Sequence, residues 1–72
     1  MRVEGEISMP ITPKEMIRYL QKNGFQKVNG GKGSHQKMKN FATRRTTEVP
    51  MSKSELDKSL EHAILKQAGL KK

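Results

Sequence analysis

Phe25-Gln26-Lys27-Val28-Asn29-Gly30-Gly31-Lys32-Gly33-Ser34-His35-Gln36-Lys37-Met38-Lys39-Asn40 is the stretch on which the fold turns. Phe25 to Asn29 reads as a short strand. Gly30-Gly31-Lys32-Gly33 reads as a turn, because only glycine visits positive φ cheaply. Ser34 to Asn40 reads as a second strand. Phe41 to Thr43 then make a turn with an unusually apolar tip, and Arg44 to Val49 a third strand, favoured by Thr46, Thr47 and Val49 and ended by Pro50. Three successive strands with short connections make an antiparallel meander.

Helix signals flank the meander. In Thr12-Pro13-Lys14-Glu15, Thr12 stands at N-cap, Pro13 at N1 and Glu15 at N3, the pattern of a capping box. Ile11 and Met16 fall at the positions of a hydrophobic staple. Met16, Ile17 and Leu20 form one apolar stripe, and Gly24 suits the left-handed position that closes the helix, so a helix is expected over about 13–23. Ser52-Lys53-Ser54-Glu55 repeats the capping box, with Met51 and Leu56 at the staple. Leu56, Leu60, Ala63 and Ile64 then recur at helical spacing, which predicts a second helix over about 53–68, closed by Gly69 with Lys66 in its last turn. On that reading Leu65 lies opposite the stripe, as an exposed leucine available to a partner, and His62 is solvated. The expected fold is α+β: an α-β-β-β-α two-layer sandwich whose three-stranded antiparallel sheet carries both helices on one face.

The chain has 72 residues, enough for one domain. Residues 1–8 lack periodicity and read as an N-terminal tail before a domain over 9–72. A chain this short buries only about 60% of its unfolded surface, so a binding site is expected on the surface. It has no cysteine, which excludes disulfides and thiolate metal sites and fits a cytoplasmic setting. No metal-ligand motif or cofactor signature is present, and no apolar run approaches a membrane span. Fifteen Lys and Arg against seven Asp and Glu give a net charge of +8. Such a field attracts polyanions through counterion release.

Strand alternation sorts these charges. Met38 is the only large apolar residue of the second strand and should face the helices, which leaves His35, Lys37 and Lys39 on the opposite, open face. In the third strand Val49 points inward, and Arg44, Thr46 and Glu48 outward. With Lys32 in the preceding turn, one imidazole stands among cations on an uncovered sheet. The sheet itself carries no aromatic platform for base stacking. Free imidazole titrates near pH 6.5 and moves protons at neutral pH. Lysines and arginine gather a phosphodiester. His35 is therefore the candidate catalytic group for cutting RNA through its own 2′-OH, with Lys32, Lys37, Lys39 and Arg44 as RNA contacts. A surface histidine with hydrogen-bonding duties only is the plainer alternative. Ser34 either orients the imidazole or caps the turn, and the glycine run either cradles phosphate or simply turns the chain.

These residues resemble the HicA toxins of bacterial type II toxin–antitoxin modules. The resemblance spans about residues 9–70. It rests on the Thr12–Gly24 helix ending in Gly24-Phe25, the motif Lys32-Gly33-Ser34-His35, the Val49-Pro50 strand exit, and the tail Ile64-Leu65-Lys66-Gln67-Ala68-Gly69-Leu70. It implies a fold similar to a double-stranded-RNA-binding domain. It also implies a ribosome-independent mRNA endonuclease inhibited by a HicB-type antitoxin. A hetero-oligomeric toxin–antitoxin complex is then expected, and the lack of a metal-ligand motif predicts cleavage without a metal or other cofactor. The family's catalytic histidine maps onto His35, and the glycine and serine of its motif onto Gly33 and Ser34. Where many members carry a further histidine after the Val-Pro exit, this chain has Met51 and Ser52. Two other readings use the same charge: a non-catalytic RNA-binding module, and an interaction protein that chiefly regulates its own operon.

Overall fold

The computed structural model describes residues 11–70. The tail expected at 1–8 lies outside the described residues. Element order is α1 (Pro13–Lys22), β1 (Phe25–Val28), β2 (His35–Asn40), β3 (Arg45–Pro50) and α2 (Lys58–Ala68). The strands form one antiparallel sheet in the order β1-β2-β3. The expected α-β-β-β-α architecture of the α+β class is the one observed.

The first helix begins where its capping box places it. The Thr12 hydroxyl accepts from the Glu15 amide at 3.2 Å, and the Glu15 carboxylate accepts from the Thr12 amide at 2.8 Å. Asn23 ends the helix and Gly24 follows at φ +93°.

The second helix starts later than its sequence signal suggests. Ser52 does not cap it. Residues 51–54 form turns and bends, Leu56 is extended, and Asp57 is the N-cap, its carboxylate accepting from the Leu60 amide at 2.8 Å. The Leu56 amide donates to the Ile11 carbonyl at 2.8 Å, in an isolated bridge that joins the lead-ins to the two helices. Leu56 is fully buried there. Burying a leucine is worth about 1.5–3 kcal/mol. An N-cap is worth about 1 kcal/mol, and Asp57 supplies one anyway. Tertiary burial therefore outweighs the local Ser52–Glu55 signal.

The later start also rotates the expected stripe. Glu61, Ile64, Leu65 and Ala68 face inward, while Ala63 is exposed and Leu60 half-buried. Leu65, expected on the surface, is a core residue. His62 is exposed, as expected.

One face of the sheet holds the core. Phe25, Met38 and Val49 meet Met16, Ile17 and Leu20 of α1, Leu56, and Ile64, Leu65 and Ala68 of α2. Thr47 is buried on this face, with its hydroxyl 3.2 Å from the Ile64 carbonyl and 3.0 Å from the Gln67 side-chain amide. Pro50 does not lie beyond β3 but is its last residue, opposite His35. A proline is tolerated there because β3 is an edge strand. Among the described residues no helix is long and apolar enough to cross a membrane.

Candidate active site

Cross-strand partners share a face of the sheet, so the register fixes what surrounds His35. His35 lies opposite Pro50, Lys37 opposite Glu48, and Lys39 opposite Thr46. These six residues occupy the face away from the core. His35 is the first residue of β2, and its position is set by its neighbours' backbone. Its amide donates to the Lys32 carbonyl at 2.9 Å. The Met51 amide donates to the Ser34 carbonyl at 3.1 Å, which ties the start of β2 to the end of β3. The Ser34 carbonyl makes this tie; its hydroxyl forms no hydrogen bond among the described residues, so it neither caps the turn nor hydrogen-bonds the imidazole.

The glycines act in different ways. Gly30 and Gly33 have φ of +117° and +54°. A Cβ on Gly33 would meet nothing, so its requirement is conformational. A Cβ on Gly31 would collide with the carbonyl oxygen of His35 and crowd the Lys37 amide. The loop backbone is thus laid directly against the backbone that carries the imidazole. Gln36 braces the same region from the other face, its amide donating to the Val28 carbonyl at 3.1 Å and the Lys37 carbonyl at 2.9 Å.

The imidazole meets one carboxylate. His35 Nδ1 lies 3.2 Å from Glu48 Oε1, with the two side chains 45% and 37% exposed. Glu48 is the diagonal neighbour of His35 across the β2–β3 pair, within reach of a long side chain. An ionised carboxylate only accepts hydrogen bonds. The contact therefore calls for a proton on Nδ1, and in the neutral ring it leaves the Nε2 lone pair free. Sequence alternation puts Glu48 on the correct face, but only the register brings it to His35.

The basic residues fall into two groups. Lys32 and Lys37 join His35, Glu48, Thr46 and Pro50 along an open groove of about 800 Å³ that also touches α2. Lys39 and Arg44 do not line this groove. Lys39 Nζ stands 5.0 Å from the centroid of the Phe41 ring at the far end of β2. Arg44 is not in the third strand, as expected from sequence, but in the turn before it, with φ +66°.

A sheet that buries one face under two helices and offers a glycine-positioned histidine among lysines on the other matches a known type of protein. The model of the HicA toxins of bacterial toxin–antitoxin systems matches residues 13–70. The chain belongs to this family. A solved chain described as a toxin–antitoxin complex from Streptococcus pneumoniae is 44% identical to it, with a TM-score of 0.71, covering 85% of this chain and all of that one. No curated protein matches the chain.

Proposed function

We propose that this toxin is a ribosome-independent endoribonuclease of mRNA, that His35 is its catalytic residue, and that a HicB-type antitoxin inhibits it. The observation that carries the reading is the orientation of His35: Nδ1 is held at Glu48 and Nε2 is left free on an exposed face beside Lys32 and Lys37.

In this mechanism Nε2 takes the proton of a ribose 2′-OH. The 2′-oxygen attacks the adjacent phosphorus, and the bond from phosphorus to the 5′-oxygen breaks. The products are a 2′,3′-cyclic phosphate and a 5′-hydroxyl, whose proton comes from water. The imidazolium returns its proton to solvent. Lys32 and Lys37 stabilise negative charge on the non-bridging oxygens. Lys39 and Arg44 hold the strand further along, and Gly33 and Ser34 shape the turn before His35. No step requires a metal ion. One positioned proton-transfer group is worth about 100- to 10,000-fold, so turnover is slow.

The net charge of +8 supports an antitoxin that covers this face with acidic groups. A toxin–antitoxin complex in the solved relative favours such a hetero-oligomer here as well.

The test is purified protein incubated with RNA, with and without EDTA. EDTA-resistant fragments ending in 2′,3′-cyclic phosphate are expected, with no cleavage at a 2′-deoxy position. Cleavage at the deoxy position, or RNA that is bound and protected without fragments, would sink the proposal; the second result would leave an RNA-binding module.

A further inference from the structure

The turn at the far end of β2 is built around a side chain that the His35 chemistry does not use. Phe41 is 57% exposed, more than any other large apolar residue described. It is held out by a tight frame. Asn40 Oδ1 accepts from the Ala42 amide at 2.9 Å and the Thr43 amide at 3.2 Å, and the Arg44 amide donates to the Asn40 carbonyl at 2.7 Å. Asn40 Nδ2 donates in turn to the Asn23 carbonyl at 3.2 Å, anchoring the turn to the end of α1.

The surroundings of the ring are cationic. Lys39, on the same sheet face as His35 and Lys37, places its ammonium 5.0 Å from the ring centroid. Arg44 lies three residues after Phe41, in a left-handed conformation that few non-glycine residues adopt. The chain thus keeps a guanidinium where glycine would be less strained. The turn Phe41-Ala42-Thr43-Arg44 contains no acid.

We infer that this tip is a stacking subsite for single-stranded RNA, in which the Phe41 ring takes the face of a nucleobase and Lys39 and Arg44 take flanking phosphates. The inference rests on RNA being the substrate. An exposed aromatic ring with an ammonium over it and an arginine in the same turn has the composition of a single-strand stacking platform. A protein anchor of this size calls for apolar neighbours, and the turn offers only Ala42. Residue steps of roughly 3.3 Å along β2 put Phe41 about 20 Å from His35. That distance spans roughly six stacked nucleotides, and fewer if the strand is extended. The tip therefore grips RNA a few nucleotides from the cut bond, and an oligonucleotide too short to reach it gains nothing from it.

Binding of 2′-O-methyl oligonucleotides, which this route cannot cleave, tests the inference by fluorescence anisotropy with a 12-mer and by competition with a dinucleotide. Phe41→Ala is expected to weaken 12-mer binding about tenfold and to leave the dinucleotide unchanged. Phe41→Trp is expected to restore affinity, with its fluorescence quenched by the 12-mer. An equal loss at both lengths, or no loss at either, overturns the subsite. So does a Phe41→Ala protein that keeps its RNA affinity but no longer binds its antitoxin, since the tip is then a protein contact. Cleavage of ordinary RNA by the unaltered protein, run in parallel, separates failure of the subsite from failure of the endonuclease reading.

Discussion

At the His35 end of β2 the chain turns through Gly30, Gly31 and Gly33; at the Phe41 end it turns through no glycine at all. The first turn presses its backbone against the strand, so that a Cβ on Gly31 would strike the His35 carbonyl. The second pushes a side chain outward and holds Arg44 at positive φ to do so. Close approach fixes the backbone that carries the imidazole. Projection places an aromatic ring where a flexible strand can meet it. The two ends of one strand thus match the two roles proposed for them, chemistry and grip.

The largest effect that can separate the two ends is loss of the imidazole. His35→Ala is expected to lower cleavage about 100- to 10,000-fold. Because the ring is exposed, stability should change by no more than about 0.5 kcal/mol, as measured by urea unfolding of the same preparation. Full cleavage by a pure, folded variant would remove His35 from the mechanism.

Next come the glycines themselves. Gly31→Ala should destabilise the protein by about 1–3 kcal/mol through forced backbone movement, and should slow cleavage because His35 moves with that backbone. Gly33→Ala meets only the left-handed penalty, about 1 kcal/mol. Urea midpoints in the opposite order would contradict the close packing of the loop against β2.

Glu48 provides a smaller effect. Glu48→Ala is expected to slow cleavage roughly tenfold, the worth of about 1.5 kcal/mol for a hydrogen bond to a charged group. Stability should barely respond, since partly exposed ion pairs contribute little. The diagnostic reading is imidazole nitrogen NMR, in which the proton should shift from Nδ1 toward Nε2. An unchanged tautomer would show that Glu48 does not orient the ring.

The smallest effect lies at the tip. Arg44→Gly should stabilise the protein, by less than about 1 kcal/mol, because the relief of left-handed strain slightly exceeds glycine's entropic cost. A lower melting temperature would mean that the guanidinium contributes more to the fold than its backbone strain removes.

Much of this was legible in the sequence wherever a signal was local and unopposed. The Thr12–Glu15 capping box marks its helix start correctly, and alternation about Met38 puts His35, Lys37 and Lys39 on the open face. The Ser52–Glu55 box is just as good a local pattern, yet it loses to burial of Leu56 against the rest of the core. With the helix start displaced, Leu65 and Ala63 exchange their expected environments. Contacts across the sheet were out of reach for a different reason. Glu48 meets His35 only through a register that depends on both turns, and the obligation at Gly31 comes from a backbone approach that no residue pattern encodes.

The Leu56 amide, hydrogen-bonded to the Ile11 carbonyl, offers one further use. It closes a link between segments far apart in the chain, whose ends are costly to bring together. Its hydrogen–deuterium exchange should therefore report the opening of the junction between the two helices, independently of fraying in the loops. A single resolved proton would serve as a gauge of whether a bound antitoxin steadies the whole domain or only a part of it.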